Sequence, residues 1–170
     1  MTVVRVITFN ANGIRSAASK GFFAWLATQN ADVVCIQETK AQQPQLQPEL
    51  HYPAGYHCYH HDAIRKGYSG VALYARRPPD DVRTGLGWSE CDQEGRWLEA
   101  RFGRLSLISL YLPSGSSSPE RQAVKFDFLA RLHPPLQALQ ASGRDCILCG
   151  DWNIAHQEID LKNWRAKRDH

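Results

Sequence analysis

Short β-branched runs, each closing on a cluster of polar residues, set the pattern of the chain. Val3 to Phe9 is the first, and the turn-forming Asn10-Ala11-Asn12-Gly13 ends it, so it reads as a strand delivering a polar loop. Ser19 then precedes Phe22, Phe23, Leu26 and Ala27, whose i, i+4 spacing fits one apolar helix face. Asp32 to Ile36 follows as a second strand with Gln37-Glu38-Thr39-Lys40 at its carboxyl end, and this β-α-β spacing points to a parallel pair. Residues 41–63, rich in Gln, Pro and His and without clear periodicity, read as a long loop with one helical turn. Strands are predicted over Gly70 to Ala75, Arg96 to Phe102 and Leu105 to Leu112, the last two joined as a hairpin by Gly103-Arg104. After the Ser-rich loop Pro113 to Ser118, Pro119 and Glu120 open a helix with Val124, Phe128 and Leu132 on one face. Pro134-Pro135 is expected to break it before a second, short helical stretch. Asp145 to Gly150 reads as a buried strand ending in Asp151-Trp152-Asn153.

This is the pattern of an α/β domain with mixed strand directions, one domain over residues 1–170, without internal repeat or visible linker. Leu105 to Leu110 and Val3 to Phe9 are apolar at both parities, as strands covered on both faces are, yet the amphipathic helices are too few to cover two faces. Either the second face meets another sheet, or part of the domain is missing. A chain of 170 residues, 43% hydrophobic and 22% charged, fits one globular core and argues against disorder, collagen and coiled coil. No apolar run approaches the roughly 20 residues of a membrane span, and Met1 leads straight into a strand rather than a secretory signal, so a cytoplasmic address and no membrane partner are expected.

Charge adds little. Of the 20 basic and 17 acidic residues, the last ten positions hold Lys162, Arg165, Lys167, Arg168 and Asp169, leaving 16 of each sign before them. A balanced body carries no basic footprint, so any link to nucleic acid must come from particular residues. The five cysteines are odd in number and scattered, which suits reduced thiols. Cys146 and Cys149 spell C-x-x-C inside an apolar strand, where residues three apart point to opposite faces and cannot share a metal. His51, His57, His60 and His61 lack a second ligand pair at zinc-finger spacing and are expected on a loop surface.

Chemistry gathers at strand ends: Asn10 with Asn12, Glu38, Tyr111, and Asp151 with Asn153. In open α/β architectures such ends converge on one cleft. Carboxylate and amide oxygens without Cys or His suit Mg²⁺ or Mn²⁺, so the cluster is a candidate phosphate-ester site. Each residue also has a plain structural reading, as a helix-start carboxylate, a turn amide or a strand-end aromatic.

Four strings occur in order: Thr8-Phe9-Asn10-Ala11-Asn12-Gly13-Ile14-Arg15, Ile36-Gln37-Glu38-Thr39-Lys40, Gly67-Tyr68-Ser69-Gly70-Val71-Ala72-Leu73 and Gly150-Asp151-Trp152-Asn153-Ile154-Ala155-His156. With Asp92-Gln93-Glu94-Gly95-Arg96 and Ile159-Asp160-Leu161-Lys162-Asn163, they resemble the exodeoxyribonuclease III branch of apurinic/apyrimidinic (AP) endonucleases, within the endonuclease/exonuclease/phosphatase superfamily. The resemblance implies a deoxyribonuclease I-like, four-layer α/β sandwich and a Mg²⁺-dependent phosphodiesterase of base excision repair, with Mn²⁺ able to substitute. Such an enzyme incises double-stranded DNA at abasic sites and trims 3′ ends. It implies a metal held by Glu38, with Asn10 in or beside the shell and Asp151 and Asn153 also in the metal site. Asp151 would move a proton or orient the attacking water, Asn153 would fix the phosphate or Asp151, and Tyr111 would hold the phosphate. Asn12, which stands where some relatives carry Asp, and Tyr68, Arg96 and Ser114 match positions facing the nucleic acid.

Family members continue for many residues past Lys162-Asn163, supplying the second sheet, a further Asp and a closing Asp-His pair. Asp169-His170 mimics that pair but reads as an exposed terminus. The resemblance therefore implies a C-terminally incomplete domain with its second sheet largely missing, monomeric if completed but association-prone as it stands. Loss of the His–Asp half is expected to cost several orders of magnitude in rate. Two other readings stand beside this one: a non-catalytic fragment binding DNA or a partner, and another phosphoesterase of the same superfamily.

Overall fold

The computed structural model describes residues 4–115, 117–162 and 164. Asp169-His170 and the first residue of the predicted leading strand, Val3, lie outside them. The chain forms two compact units, one of Met1–Tyr111 with Gly143–Asp151, the other of Leu112–Ser142 with Trp152–His170.

The first unit holds both sheets. Strands β1 (Val6–Asn10) and β2 (Val33–Gln37) pair in parallel, as the β-α-β spacing predicts, with Asn10 opposite Gln37 as the last pair. Between them the chain makes two short helices, α1 (Ile14–Ser19) and α2 (Phe22–Ala27), where the spacing predicts one. Gly21, in the left-handed region at φ 89°, separates them. The helices bury Ile14, Phe22, Phe23 and Leu26 against Val34, Ile36, Ala72 and Tyr74 of the sheet.

The 41–63 segment is more structured than its composition indicates. It contains a short helix α3 (Pro48–His51) and a strand β3 (His57–His61), which pairs antiparallel with β4 (Val71–Ala75). The first sheet thus runs β1-β2-β4-β3. His51 and His60 are accordingly not loop-surface residues. His51 is buried, and His60 stands between the rings of Tyr52 and Tyr74 at 5.6 and 5.5 Å.

After β4 the chain crosses to a second sheet: β5 (Asp81–Thr84), the short helix α4 (Ser89–Asp92), β6 (Trp97–Phe102), β7 (Leu105–Tyr111) and, later, β8 (Asp145–Asp151). Its order is β5-β6-β7-β8, with β6 and β7 antiparallel around Gly103-Arg104 and β7 parallel to β8. The expected sandwich is therefore observed, and the chain supplies four strands of the second sheet, which was expected to be largely missing. The pattern located β6, β7 and β8 correctly; periodicity cannot say which sheet a strand joins.

Leu98, Ala100, Leu107 and Cys149 pack on Val33, Cys35, Val71 and Leu73, so the second apolar face of the first sheet meets another sheet. On β6 and β7 the alternate positions Trp97, Ile108 and Leu110 are buried as well. The expected open apolar face is thus absent from these strands. Among the described cysteines, all five are free thiols, and Cys35 and Cys149 adjoin across the two sheets.

In the second unit, helix α5 (Pro119–Ala141) begins at Ser118, whose hydroxyl accepts from the Arg121 N–H at 3.3 Å. It continues through Pro134 and Pro135 instead of breaking. A proline removes the bond from its own nitrogen and its ring crowds the carbonyl four residues back; for Pro134 that carbonyl is Ala130's, and both residues are exposed, while Pro135 and Arg131 are half-buried. Phe128 and Leu132 are buried as predicted, but Val124 is exposed and Lys125 is the buried neighbour. No described helix is long and apolar enough to cross a membrane.

Candidate active site

The two parallel strand pairs end together. In the first sheet β1 and β2 finish at Asn10 and Gln37; in the second, β7 and β8 finish at the pair Tyr111–Asp151. One side chain joins them: the Asn10 amide donates to Glu38 Oε1 and to Asp151 Oδ2, both at 2.8 Å. Asn10 Oδ1 accepts from the Asn12 backbone N–H at 2.9 Å, which sets the amide with its NH₂ toward the carboxylates. Asn10 thus stands beside the carboxylates as their common donor.

The loop after β2 aims Glu38 at this point. Glu38 and Lys40 both have left-handed backbone, φ 52° and 48°, which a non-glycine residue keeps only where its surroundings over-determine it. The surroundings do so. The Glu38 and Thr39 carbonyls accept from Gly13 and Ile14, and the Thr39 and Lys40 N–H groups donate to Gly70 and Ser69. Gly70 is required here: at φ 84° a Cβ would strike the Thr39 hydroxyl. Beneath the loop, buried Gln37 donates to Ser109 Oγ at 3.1 Å, and Ser109 Oγ donates to the Ile36 carbonyl at 3.0 Å. This polar tie between the sheets is seated directly under Glu38.

Glu38 also pairs with Lys40 Nζ at 2.6 Å, and Lys40 donates to Asn12 Oδ1 as well. Burial pushes the Glu38 carboxyl up, but the hydrogen bonds from Lys40 and Asn10 outweigh it and hold the group below its ordinary value. The Tyr111 phenol also interacts with Glu38. Burial first, then the Glu38 charge, raise its pKa, so the phenol stays a proton donor throughout the neutral range.

The sequence-predicted residues divide as follows. Asn10, Glu38, Tyr111 and Asp151 come together, with exposed Asn12 beside them through Lys40. Tyr68 is half-buried, its ring flanked by the Arg65 and Arg96 guanidinium groups at 5.3 and 5.7 Å. Arg96 corrects the expectation of a nucleic-acid contact: it is 1% exposed and turned inward. In the second unit Ser114 is exposed. There the Asn153 side-chain amide donates to the Leu112 carbonyl at 2.8 Å, and the Asn153 backbone carbonyl accepts from buried Lys125 at 2.7 Å. Sequence reasoning assigned no role to Lys40, Ser109 or Lys125. A serine inside the apolar run of β7 was the one available signal for Ser109.

The donor set fits a hard divalent cation. Two carboxylates converge on one amide, and an ammonium, that of Lys40, already sits on Glu38. Magnesium sites commonly use one or two carboxylates, with water and phosphate completing the shell. Among the described residues no group of three His, Cys, Asp or Glu gathers as a closed protein cage.

A family model described as the Endonuclease/Exonuclease/phosphatase family matches residues 7–170, and the chain belongs to this family. It is 38% identical over 169 residues to an exodeoxyribonuclease of Bacillus subtilis (strain 168), covering 98% of this chain and 65% of the relative. It is 33% identical to the DNA repair nuclease APEX1 of Danio rerio, covering 97% of this chain and 54% of that protein. The solved AP endonuclease from Archaeoglobus fulgidus superposes with a TM-score of 0.85 at 30% identity, covering 99% of this chain and 64% of the other. These names fit the exodeoxyribonuclease III and AP endonuclease branch and a deoxyribonuclease I-like sandwich. The chain spans between about half and two-thirds of the length of these relatives.

Proposed function

We propose that the chain carries the metal-binding half-site of a DNA phosphodiesterase, acting on double-stranded DNA at abasic sites and at 3′ ends. Residues 1–170 are read as part of one such domain, with a cytoplasmic address. The observation that carries the proposal is the Asn10 amide holding Glu38 and Asp151 at the carboxyl ends of two parallel pairs. Similarity to nucleases named for exodeoxyribonuclease and AP endonuclease activity supports the substrate class.

Glu38 and Asp151 would hold a Mg²⁺ ion, with Mn²⁺ an alternative. The ion supplies neutralisation of the scissile phosphate and of the departing oxygen. Asn10 keeps the two carboxylates facing one point, which like charges would otherwise resist. Lys40 balances Glu38 until substrate arrives. Tyr111, protonated at neutral pH, donates a hydrogen bond toward a phosphate oxygen. Asp151 orients the attacking water or accepts its proton. Asn153, held within the second unit by Lys125 and the Leu112 carbonyl, is assigned a phosphate contact.

The test is cleavage of a labelled duplex with one abasic site, with Mg²⁺ and with EDTA, alongside an intact duplex and a small phosphomonoester. The reading expects incision that needs the metal and the abasic site, and at least a ~10³-fold loss in Glu38→Ala, since groups acting as a unit fail together. Equal cleavage by Glu38→Ala, or hydrolysis of the phosphomonoester alone, would overturn it.

A further inference from the structure

We propose that Arg96 is a positioning residue, fixing the backbone and ring of Tyr111 so that its phenol faces Glu38, and does not itself touch nucleic acid. The inference rests on the reading of Tyr111 and Glu38 as parts of a phosphodiester site.

Tyr111 is the residue the sheet holds least on the β6 side. The last β6–β7 pair is Trp97–Leu110, so Tyr111 lies one step beyond the ladder. Arg96 takes over there. Its carbonyl accepts from the Tyr111 N–H at 3.0 Å, and its Nη1 donates to the Tyr111 carbonyl at 2.9 Å. The guanidinium also lies against the Tyr111 ring, 4.8 Å from the centroid. One residue therefore fixes both backbone polar groups and one face of the ring.

Arg96 is itself fixed. Nε donates to Glu94 Oε2 at 2.7 Å and Nη2 to the Tyr68 hydroxyl at 3.0 Å, while the group approaches the Tyr68 ring at 5.7 Å. The preceding Gly95, at φ 58°, sits where a Cβ would collide with the His61 carbonyl, so the chain turns inward tightly at this point. Three acceptors in three directions, together with π faces, match the planar fork of a guanidinium; an ammonium is a point charge on a flexible stem and cannot serve them all. At 1% exposure the group has no free edge to offer a phosphate.

A phosphate contact and a positioning role separate experimentally. Losing a phosphate contact weakens binding and flattens its salt dependence, whereas losing a positioning residue lowers kcat at constant KM. The experiment compares wild type, Arg96→Met, Arg96→Lys and Glu94→Ala on the abasic duplex with Mg²⁺, alongside aromatic NMR of ¹³C-tyrosine protein assigned with Tyr111→Phe. The inference expects about a 10- to 100-fold fall in kcat for both Arg96 variants, with KM and its salt slope unchanged. It also expects the two edges of the Tyr111 ring, resolved in wild type, to average by faster ring flipping. Glu94→Ala, at a surface-accessible carboxylate, should show the same changes in smaller measure and serves if the Arg96 variants fail to fold. Restoration by Arg96→Lys, a reduced salt slope, or an unaltered Tyr111 ring in a folded variant would overturn the inference. The NMR arm reads the positioning even in a protein without cleavage, so failure of the nuclease reading and failure of this inference are distinguishable.

Discussion

At the scale of single residues, the site works through one amide. Asn10 turns two repelling carboxylates into a pair that faces a common point, while Lys40 and Tyr111 both bias Glu38 toward the ionised state. Asn10, Glu38, Tyr111 and Asp151 were legible in the sequence because each lies at the end of a strand-like apolar run, and strand ends are where such folds place polar groups. Arg96 was misread because a sequence string does not show which way a guanidinium turns. His60 was misread for a related reason: polar composition hid a strand. Both its ring nitrogens are buried without partners, and burial, then His51, push its pKa down to about 4. The unfolded value lies near 6.5, so between about pH 6.5 and 4 the unfolded chain binds a proton that the folded one refuses, and stability falls as pH falls. Relative to His60→Phe, wild type should lose roughly 3 kcal/mol more between pH 7 and pH 4. Urea midpoints at the two pH values measure this, and parallel losses in both proteins would contradict it.

At the scale of elements, the short apolar runs bounded by turn residues were the reliable signal, and β1, β2, β4, β6, β7 and β8 all follow from them. The strands β3 and β5, His-Cys-Tyr-His-His and Asp-Val-Arg-Thr, are short edge strands whose polar residues are held by pairing on one side only, and pattern alone does not separate them from loop. Helix α5 shows the opposite failure, where a strong local breaker is overridden. Each interior proline costs up to about 3 kcal/mol relative to alanine, reduced by the stiffer unfolded chain. Because the helix already passes through both positions, Pro134→Ala with Pro135→Ala should raise stability by about 1–3 kcal/mol without a gain in helical circular dichroism. A gain in helicity would mean that the prolines do end the helix.

At the scale of the molecule, two sheets each contribute one parallel pair, and the pairs end at the same place in the first unit. The sequence showed that a second apolar face needed covering; it could not show that the chain itself crosses to cover it, because strand periodicity carries no sheet address. Leu98, Ala100 and Leu107 supply that cover. The consequence for function is that Glu38 and Asp151, more than a hundred residues apart in sequence, meet at the Asn10 amide, and so can form the proposed cation site, only when both sheets are folded together. Manganese binding followed by electron paramagnetic resonance, in wild type, Glu38→Gln and Asp151→Asn, tests this most directly. The account predicts one Mn²⁺ bound per chain in wild type, displaced by Mg²⁺, with each single substitution weakening affinity at least ~10-fold through loss of a carboxylate ligand. Manganese affinity unchanged in both variants would contradict it.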